Sequence, residues 1–377
     1  MKILIAPDSF KESLTAIEVA DSIESGILNY RPDIECIKVP LADGGEGTVD
    51  SILNVIGGKK MPAIVKDPLM RDIEAFWGLF PDCKTGIIEM SAASGLECLT
   101  IEERNPLLTS TYGTGQLIKS ALEEGCTTIY IGIGGSATND GGAGMAKALG
   151  ALLLDEMDNE IGDGGKFLSD LSKVDLSVFD KKISECEFIV ISDVQNPLCG
   201  KYGASHVYGP QKGADQEMVE QLDRNLQHFG RILESYFKKD IIKVPGAGAA
   251  GGLGAGLSAF CNAAIKPGFE TISEIVQLEN TIQKIDLIIT GEGKMDYQTK
   301  FGKVPFGVAQ IAKKYKKPVI GIAGSLGKGY RELYNYGFQS IFSISEQPVS
   351  LKYSMENAKS LLFNASERII RLIFIDQ

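Results

Sequence analysis

Acidic, basic and hydroxyl side chains recur in this chain beside glycine, each time close behind a stretch that reads as a buried strand. The sets are Asp8, Ser9 and Lys11; Asp43, Gly44, Gly45 and Glu46; Gly134, Gly135, Ser136, Thr138, Asn139 and Asp140; Asp193 and Asn196; Lys212; and Glu292, Lys294 and Asp296. Such company suits phosphoryl transfer: lysines neutralise phosphate, carboxylates hold Mg²⁺, and one carboxylate accepts a hydroxyl proton. Taken singly, each carboxylate reads more simply as a turn or cap residue. Glu292 and Asp296 lean the other way, because a structural turn has no need of Gly-Glu-Gly-x-x-Asp. Neither a P-loop nor the protein-kinase signatures occur, and His206 and His228 stand in poor context for a Ser–His–Asp arrangement.

The densest set follows the apolar run Ile129–Ile133 and precedes a helical pattern carried by Met145, Leu149 and Leu152. Strand, glycine turn and helix in this order aim backbone N–H groups at whatever sits above the turn, and phosphate is the usual guest. Asp140 complicates that picture, since a bare carboxylate repels phosphate. It has three readings: a bridge through a metal, a partner for a hydroxyl, or a helix cap.

The elements that must position these residues fall into two grammars. Lys2–Ala6, helix, Glu35–Pro40 and helix Val49–Ile56 alternate as β-α-β-α, and Asp286–Thr290, Val304–Tyr315, Val319–Ala323, Ser340–Ile344 and Ser354–Ile375 resume the alternation. Between them, Met61–Asp67, Asp72–Leu79 and Thr85–Met90 are joined by short turns and read as an antiparallel meander. A helix around Thr114–Glu124, a strand Phe188–Ser192 and a long helix Gln216–Phe237 follow. The economical architecture is α/β: one parallel domain made of both chain ends, 1–56 and 286–377, with a second α/β domain, 57–285, inserted and containing the meander. Polar turns at strand C-termini are where open parallel sheets bind ligands.

Composition narrows the class. The 43 glycines in 377 residues exceed the usual ~7% and lie in clusters, which points to ligand-facing turns. A net charge of −11 without a basic block argues against nucleic acid or an anionic membrane surface as partner. Seven scattered cysteines with no CxxC argue against a zinc site or a disulfide framework and fit the cytoplasm. The uncharged stretch 246–265 is long enough to span a bilayer, yet its glycines and alanines read as a turn and a packed helix.

The blocks APDSFKESLTA (6–16), PLADGGEGT (40–48), GGSATNDGGAGM (134–145), VYGPQKGA (207–214), PGAGAAGGLG (245–254) and TGEGKMDYQT (290–299) resemble, as an ordered set over essentially the whole chain, the bacterial glycerate kinases of the first type. The resemblance implies two α/β domains, one Rossmann- or flavodoxin-like, with the active site in the cleft between them. It implies ATP-dependent phosphorylation of D-glycerate, mostly to 2-phosphoglycerate, with 3-phosphoglycerate as the alternative product. It adds Gly246 and Gly248 to the candidates for contact with substrate or nucleotide. A dinucleotide-dependent oxidoreductase is disfavoured because the Gly134–Gly144 loop lacks the required glycine spacing and distal acid. A catalytically silent sensor is disfavoured because it has no use for the acidic set. The roles expected from the residues themselves are Lys11 and Lys212 against the anions, Asp193 and Glu292 as metal-side ligands, and Asp296 as the base. The reverse assignment of Asp193 and Asp296 stays open, and the sequence does not fix the oligomeric state.

Overall fold

The computed structural model describes residues 1–42 and 44–375, so Asp43 lies outside the described residues. The strands, in chain order, are β1 (Lys2–Ile5), β2 (Glu35–Lys38), β3 (Lys59–Lys66), β4 (Asp72–Leu79), β5 (Thr85–Glu89), β6 (Thr128–Gly132), β7 (Leu152–Leu154), β8 (Lys173–Asp175), β9 (Glu187–Ile191), β10 (Ala264–Lys266), β11 (Leu287–Met295), β12 (Val319–Leu326) and β13 (Phe338–Ser343). The chain divides into two compact units: Met1–Asp43, Asp50–Ile56 and Gly268–Gln377 form the first, Gly44–Val49 and Gly57–Pro267 the second. Helices Gly268–Ile275 and Leu278–Gln283 thus group with the first unit, ahead of the crossing at 286 expected from the sequence.

The first unit is built on a parallel sheet of order β13-β12-β11-β1-β2. Counted along this unit alone, that order is the flavodoxin-like 2-1-3-4-5, whose direction reverses between β1 and β11. Isoleucines 3, 5 and 289 are wholly shielded from water, as befits a sheet covered on both faces. Helix Ala16–Tyr30 starts at a capping box, in which Thr15 and Glu18 each satisfy the other's backbone N–H. It packs on helix Ala358–Ile373, Gly26 lying against the Phe363 carbonyl.

The second unit holds a mixed sheet of order β10-β9-β6-β5-β4-β3. Its β10, β9, β6 and β5 run parallel, while β4 and β3 return antiparallel as the expected meander. Trp77 on β4 is fully buried and donates its indole N–H to Ser120 Oγ at 3.0 Å. Helix Gln216–Phe237 spans the residues its periodicity predicts; Asp215 caps it, and Leu222, Leu226, Phe229 and Leu233 face the core. Among the described residues no helix is long and apolar enough to cross a membrane. The 246–265 stretch is instead a 3-10 turn, a helix Leu253–Phe260 and strand β10.

Two expectations are corrected. The helix after the glycine loop ends at Ala148, because Gly150 takes a φ of +95°; Leu152 then belongs to β7, paired antiparallel with β8. The Gly-Glu-Gly-Lys segment read as a turn is strand: β11 runs on to Met295, with Lys294 opposite Ser325 and Met295 opposite Leu326. Glycine makes this extension possible, since a Cβ at Gly291 would lie 2.0 Å from the Ile322 carbonyl and one at Gly324 2.6 Å from that of Gly293.

Candidate active site

In the first unit, the polar groups gather where the sheet reverses direction. Asp8 donates its backbone N–H to the Gly291 carbonyl (2.8 Å), and the Phe10–Lys11 backbone lies against Gly293. Asp8, Ser9, Lys11, Glu292 and Asp296 therefore share the C-terminal end of β1 and β11. The Asp8 carboxylate accepts from Ser9 N at 2.7 Å; Lys11 is exposed. Glu292, only 5% exposed, accepts from Lys303 Nζ and from Thr299 Oγ1, each at 2.6 Å. Burial pushes its carboxyl above the ordinary range, and those two partners and the lysine charge oppose the rise. Thr299 also receives the Asp296 N–H through the same hydroxyl oxygen (3.1 Å), so one side chain links the two acids. Asp296 is 6% exposed; it takes the Gln298 N–H at 2.8 Å and stands 3.4 Å from Lys294 Nζ. Gly327 packs on its Cβ, fixing the carboxylate in place.

In the second unit, Gly44 and Gly45 pack on the Gly132–Gly134 backbone, and Gly134 N donates to the Gly44 carbonyl (3.2 Å). This puts Gly44, Gly45 and Glu46 beside the glycine loop. Glu46 pairs with Glu97, whose carboxyl is pushed up to about 6 by their shared hydrogen bond, then by partial burial and the neighbouring charge. The remaining loop residues turn inward. Asp140 is wholly buried and takes four hydrogen bonds: Thr111 N and Oγ1 (both 2.8 Å), Gly142 N and Gly144 N (both 3.1 Å). Asp140 thus ties the loop and the start of helix Ala143–Ala148 to Thr111 of the preceding segment. Burial raises its pKa, against those hydrogen bonds. Asn139 donates to Ser205 Oγ at 2.9 Å. Lys212 is 1% exposed and donates to Ser136 Oγ and the Thr138 carbonyl, each at 2.6 Å. Its amine is thus engaged by the loop itself. Burial pushes it down to about 7, with the Asp140 charge pulling the other way.

Asp193 is exposed on the segment after β9. Its expected partner Asn196 is otherwise engaged, donating to the Tyr202 carbonyl (2.8 Å) and accepting from the Tyr208 hydroxyl (2.9 Å). A cavity of about 300 Å³ opens at the ends of β9 and β10, lined by Ser192, Gln195, Val244, Ser258, Ile265 and Lys266 among others. Gly246 and Gly248 are buried against chain, not open to a ligand. A Cβ on Gly248 would lie 2.2 Å from the Pro197 carbonyl, and one on Gly246 3.1 Å from that of Val194. Among the described residues no group of three or more acidic, His or Cys side chains is placed to hold a metal.

A model of the glycerate kinase family matches residues 3–374. The chain belongs to the glycerate kinase family. It is 48% identical over 375 residues to the glycerate 2-kinase of Escherichia coli K12, covering 100% of this chain and 98% of that one. It is 48% identical over 367 residues to a glycerate kinase of Halalkalibacterium halodurans, covering 97% of each. A crystal structure of a Salmonella typhimurium LT2 protein named as a glycerate kinase 2 superposes with a TM-score of 0.88 at 47% identity, covering 99% of this chain and 98% of that one. This chain thus carries two polar centres, one per unit. Sequence reasoning left out Thr299, Lys303, Thr111 and Glu97. Only Thr299 had a signal, lying inside the TGEGKMDYQT block three residues beyond Asp296. The others reach their partners through tertiary packing alone.

Proposed function

We propose that this member of the glycerate kinase family transfers the γ-phosphoryl group of ATP to D-glycerate and yields 2-phosphoglycerate in the cytoplasm. The observation that carries the reading is the full-length similarity to the E. coli protein named glycerate 2-kinase. The chemistry of the first unit agrees with it. Asp296, held by Gln298 N and Thr299, is the base that takes the hydroxyl proton, and exposed Lys11 offsets phosphate charge. Asp8, Ser9 and Glu292 complete that centre; Gly44, Gly45, Glu46, Gly134, Gly135, Ser136 and Thr138 are the substrate contacts of the second unit.

Asp193 and Glu292 are the carboxylates for Mg²⁺. Mg²⁺ at phosphoryl-transfer sites commonly takes one or two carboxylates, with phosphate and water supplying the rest. When bound, the ion neutralises charge on the β- and γ-phosphates. Seven free cysteines support the cytoplasmic location.

The test is purified protein with D-glycerate, ATP and Mg²⁺, followed by ADP release and by ³¹P NMR of the product. Glycerate-dependent ADP release with the phosphorus signal coupled to the C2 proton is expected. A C3-coupled signal replaces the product assignment; binding without turnover, or a change in NAD(P)H, overturns the kinase reading.

A further inference from the structure

Ser136 faces two ways. Its oxygen accepts from Lys212 Nζ, while among the described residues no acceptor takes its hydroxyl proton. It is 6% exposed, and its neighbour Gly135 is exposed with a φ of +74°. The Gly135 carbonyl is used by Leu96 N, and Ala137 N by the Ser94 carbonyl, but no acceptor among the described residues takes the N–H of Gly135 or of Ser136. Three donors thus share one short edge of the loop. Behind them lies an ammonium with almost no access to water; it fills two of its three donor positions, with Ser136 Oγ and the Thr138 carbonyl. A Cβ at Gly135 would meet Ser91 Cβ at an ordinary 3.4 Å, so the positive φ, not lack of space, is what favours glycine here.

We propose that Gly135 and Ser136 form an oxyanion subsite on the second unit, a seat for one carboxylate or phosphate group, with Lys212 acting on the anion through the Ser136 hydroxyl. Below about 7, where the Lys212 amine is protonated, the hydroxyl that accepts from it is polarised into a better donor, a bound anion extends that range upward, and backbone N–H groups beside it complete an anion-binding edge. The charged group acting on Lys212 is Asp140 on the loop; the Arg104 backbone packs on the neighbouring Gly213, and Asp215 caps the next helix. The Glu46–Glu97 pair flanks the edge; with the Glu97 carboxyl pushed up to about 6, the pair shares a proton only below that value and opposes an anion above it. Lys212 is therefore a positioning residue, and Ser136 the group in contact.

The subsite deepens the kinase reading and rests on it only for the identity of the anion, since glycerate brings a carboxylate and ATP brings phosphates. Calorimetric titration with D-glycerate alone, ATP alone and orthophosphate is carried out on the wild type, Ser136→Ala, Lys212→Met and Lys212→Arg. Ser136→Ala and Lys212→Met are expected to weaken one of the two substrates tenfold or more, and to raise its KM with a smaller change in kcat. Lys212→Arg recovers part of the loss. The substrate that weakens names the anion. Should Lys212→Met fail to fold, Ser136→Ala decides. If Ser136→Ala keeps the affinity and KM of both substrates within twofold, the subsite is wrong, whether or not the enzyme phosphorylates glycerate. If Ser136→Ala loses orthophosphate while the wild type releases no ADP, the subsite stands and the kinase reading falls.

Discussion

In the centre on the parallel sheet, Glu292 meets a lysine whose side chain is 41% exposed, whereas in the glycine-loop centre Lys212 is almost entirely shut away from water. The first centre offers acids at the reversal point of a parallel sheet, with their cations close to solvent. The second buries both Asp140 and Lys212, while the Gly135 backbone and the Glu46–Glu97 pair are exposed. Exposed cations exchange readily with solvent and ligand. Buried charges act by holding backbone and by projecting a field through what lies in front of them, where water screens them little. The difference teaches that charged residues in two equally polar motifs have different work, and that burial decides which.

The largest effect expected is at Asp296. Asp296→Asn lowers kcat about a hundredfold or more while leaving the unfolding midpoint and ATP binding in place, the mark of a lost base. Asp193→Asn instead raises the Mg²⁺ needed for half activity. If both turn over at the wild-type rate with unchanged Mg²⁺ dependence, the chemistry moves to Asp8 and Asp43.

Asp140→Asn tests the opposite centre. It sets an amide NH₂ among four donors now facing a carboxylate, which costs roughly 2–3 kcal/mol of stability. Urea denaturation reads this as a lowered midpoint. An unchanged midpoint with a large kinetic defect would make Asp140 a ligand and erase the contrast.

The pH dependence of stability sharpens the comparison by its sign. Lys212 sits at about 7 when folded against 10.5 ordinarily, so between those values the unfolded chain holds a proton that the folded one lacks. Wild-type stability therefore climbs with pH across that window relative to Lys212→Met. Glu292 is shifted upward, so just above the ordinary carboxylate range the folded chain keeps a proton that the unfolded one releases, and stability falls as pH rises. Lys303→Met removes the opposing cation and steepens the fall. Denaturation midpoints measured at stepped pH for these variants give both slopes, and a common sign would contradict the burial argument.

The smallest effect is at Thr15, whose capping box serves helix Ala16–Tyr30 and touches neither charge pair. Thr15→Ala is expected to cost about 1 kcal/mol with unaltered kcat. It calibrates how a purely structural cap behaves beside Asp140.

Where local pattern and tertiary demand coincide, the elements could be read in advance. Helix Gln216–Phe237 has a capping aspartate, a clean apolar stripe and no competing glycine, and it forms over the residues predicted. The β1 and β2 strands with their helices were equally legible. Glycine was the source of misreading. Gly-Glu-Gly-Lys looks like a turn, but its glycines serve the close approach of β12. Gly246 and Gly248, candidates for contact with substrate or nucleotide, pack on the Val194 and Pro197 carbonyls. A glycine's purpose depends on what it lies against, which no local pattern records. The same holds for Lys212: its residue type suggested an anion contact, and only the fold reveals that its amine is engaged by the loop itself.

The pairing of β1 with β11 has a consequence for how the molecule is made. Ile3 and Leu287 are register partners 284 residues apart, as are the Lys2 N–H and the Asp286 carboxylate that accepts it. On a ribosome, β1 is synthesised long before its neighbour exists, while Gly57–Pro267 emerges as one uninterrupted run with its own core. Chains synthesised at about 5–20 residues per second leave β1 waiting on the order of ten seconds or more for β11. The later unit in the chain's own numbering is therefore the earlier to fold, and the N-terminal strand, apolar at Ile3, Leu4 and Ile5, spends that interval as a segment for chaperones to shield.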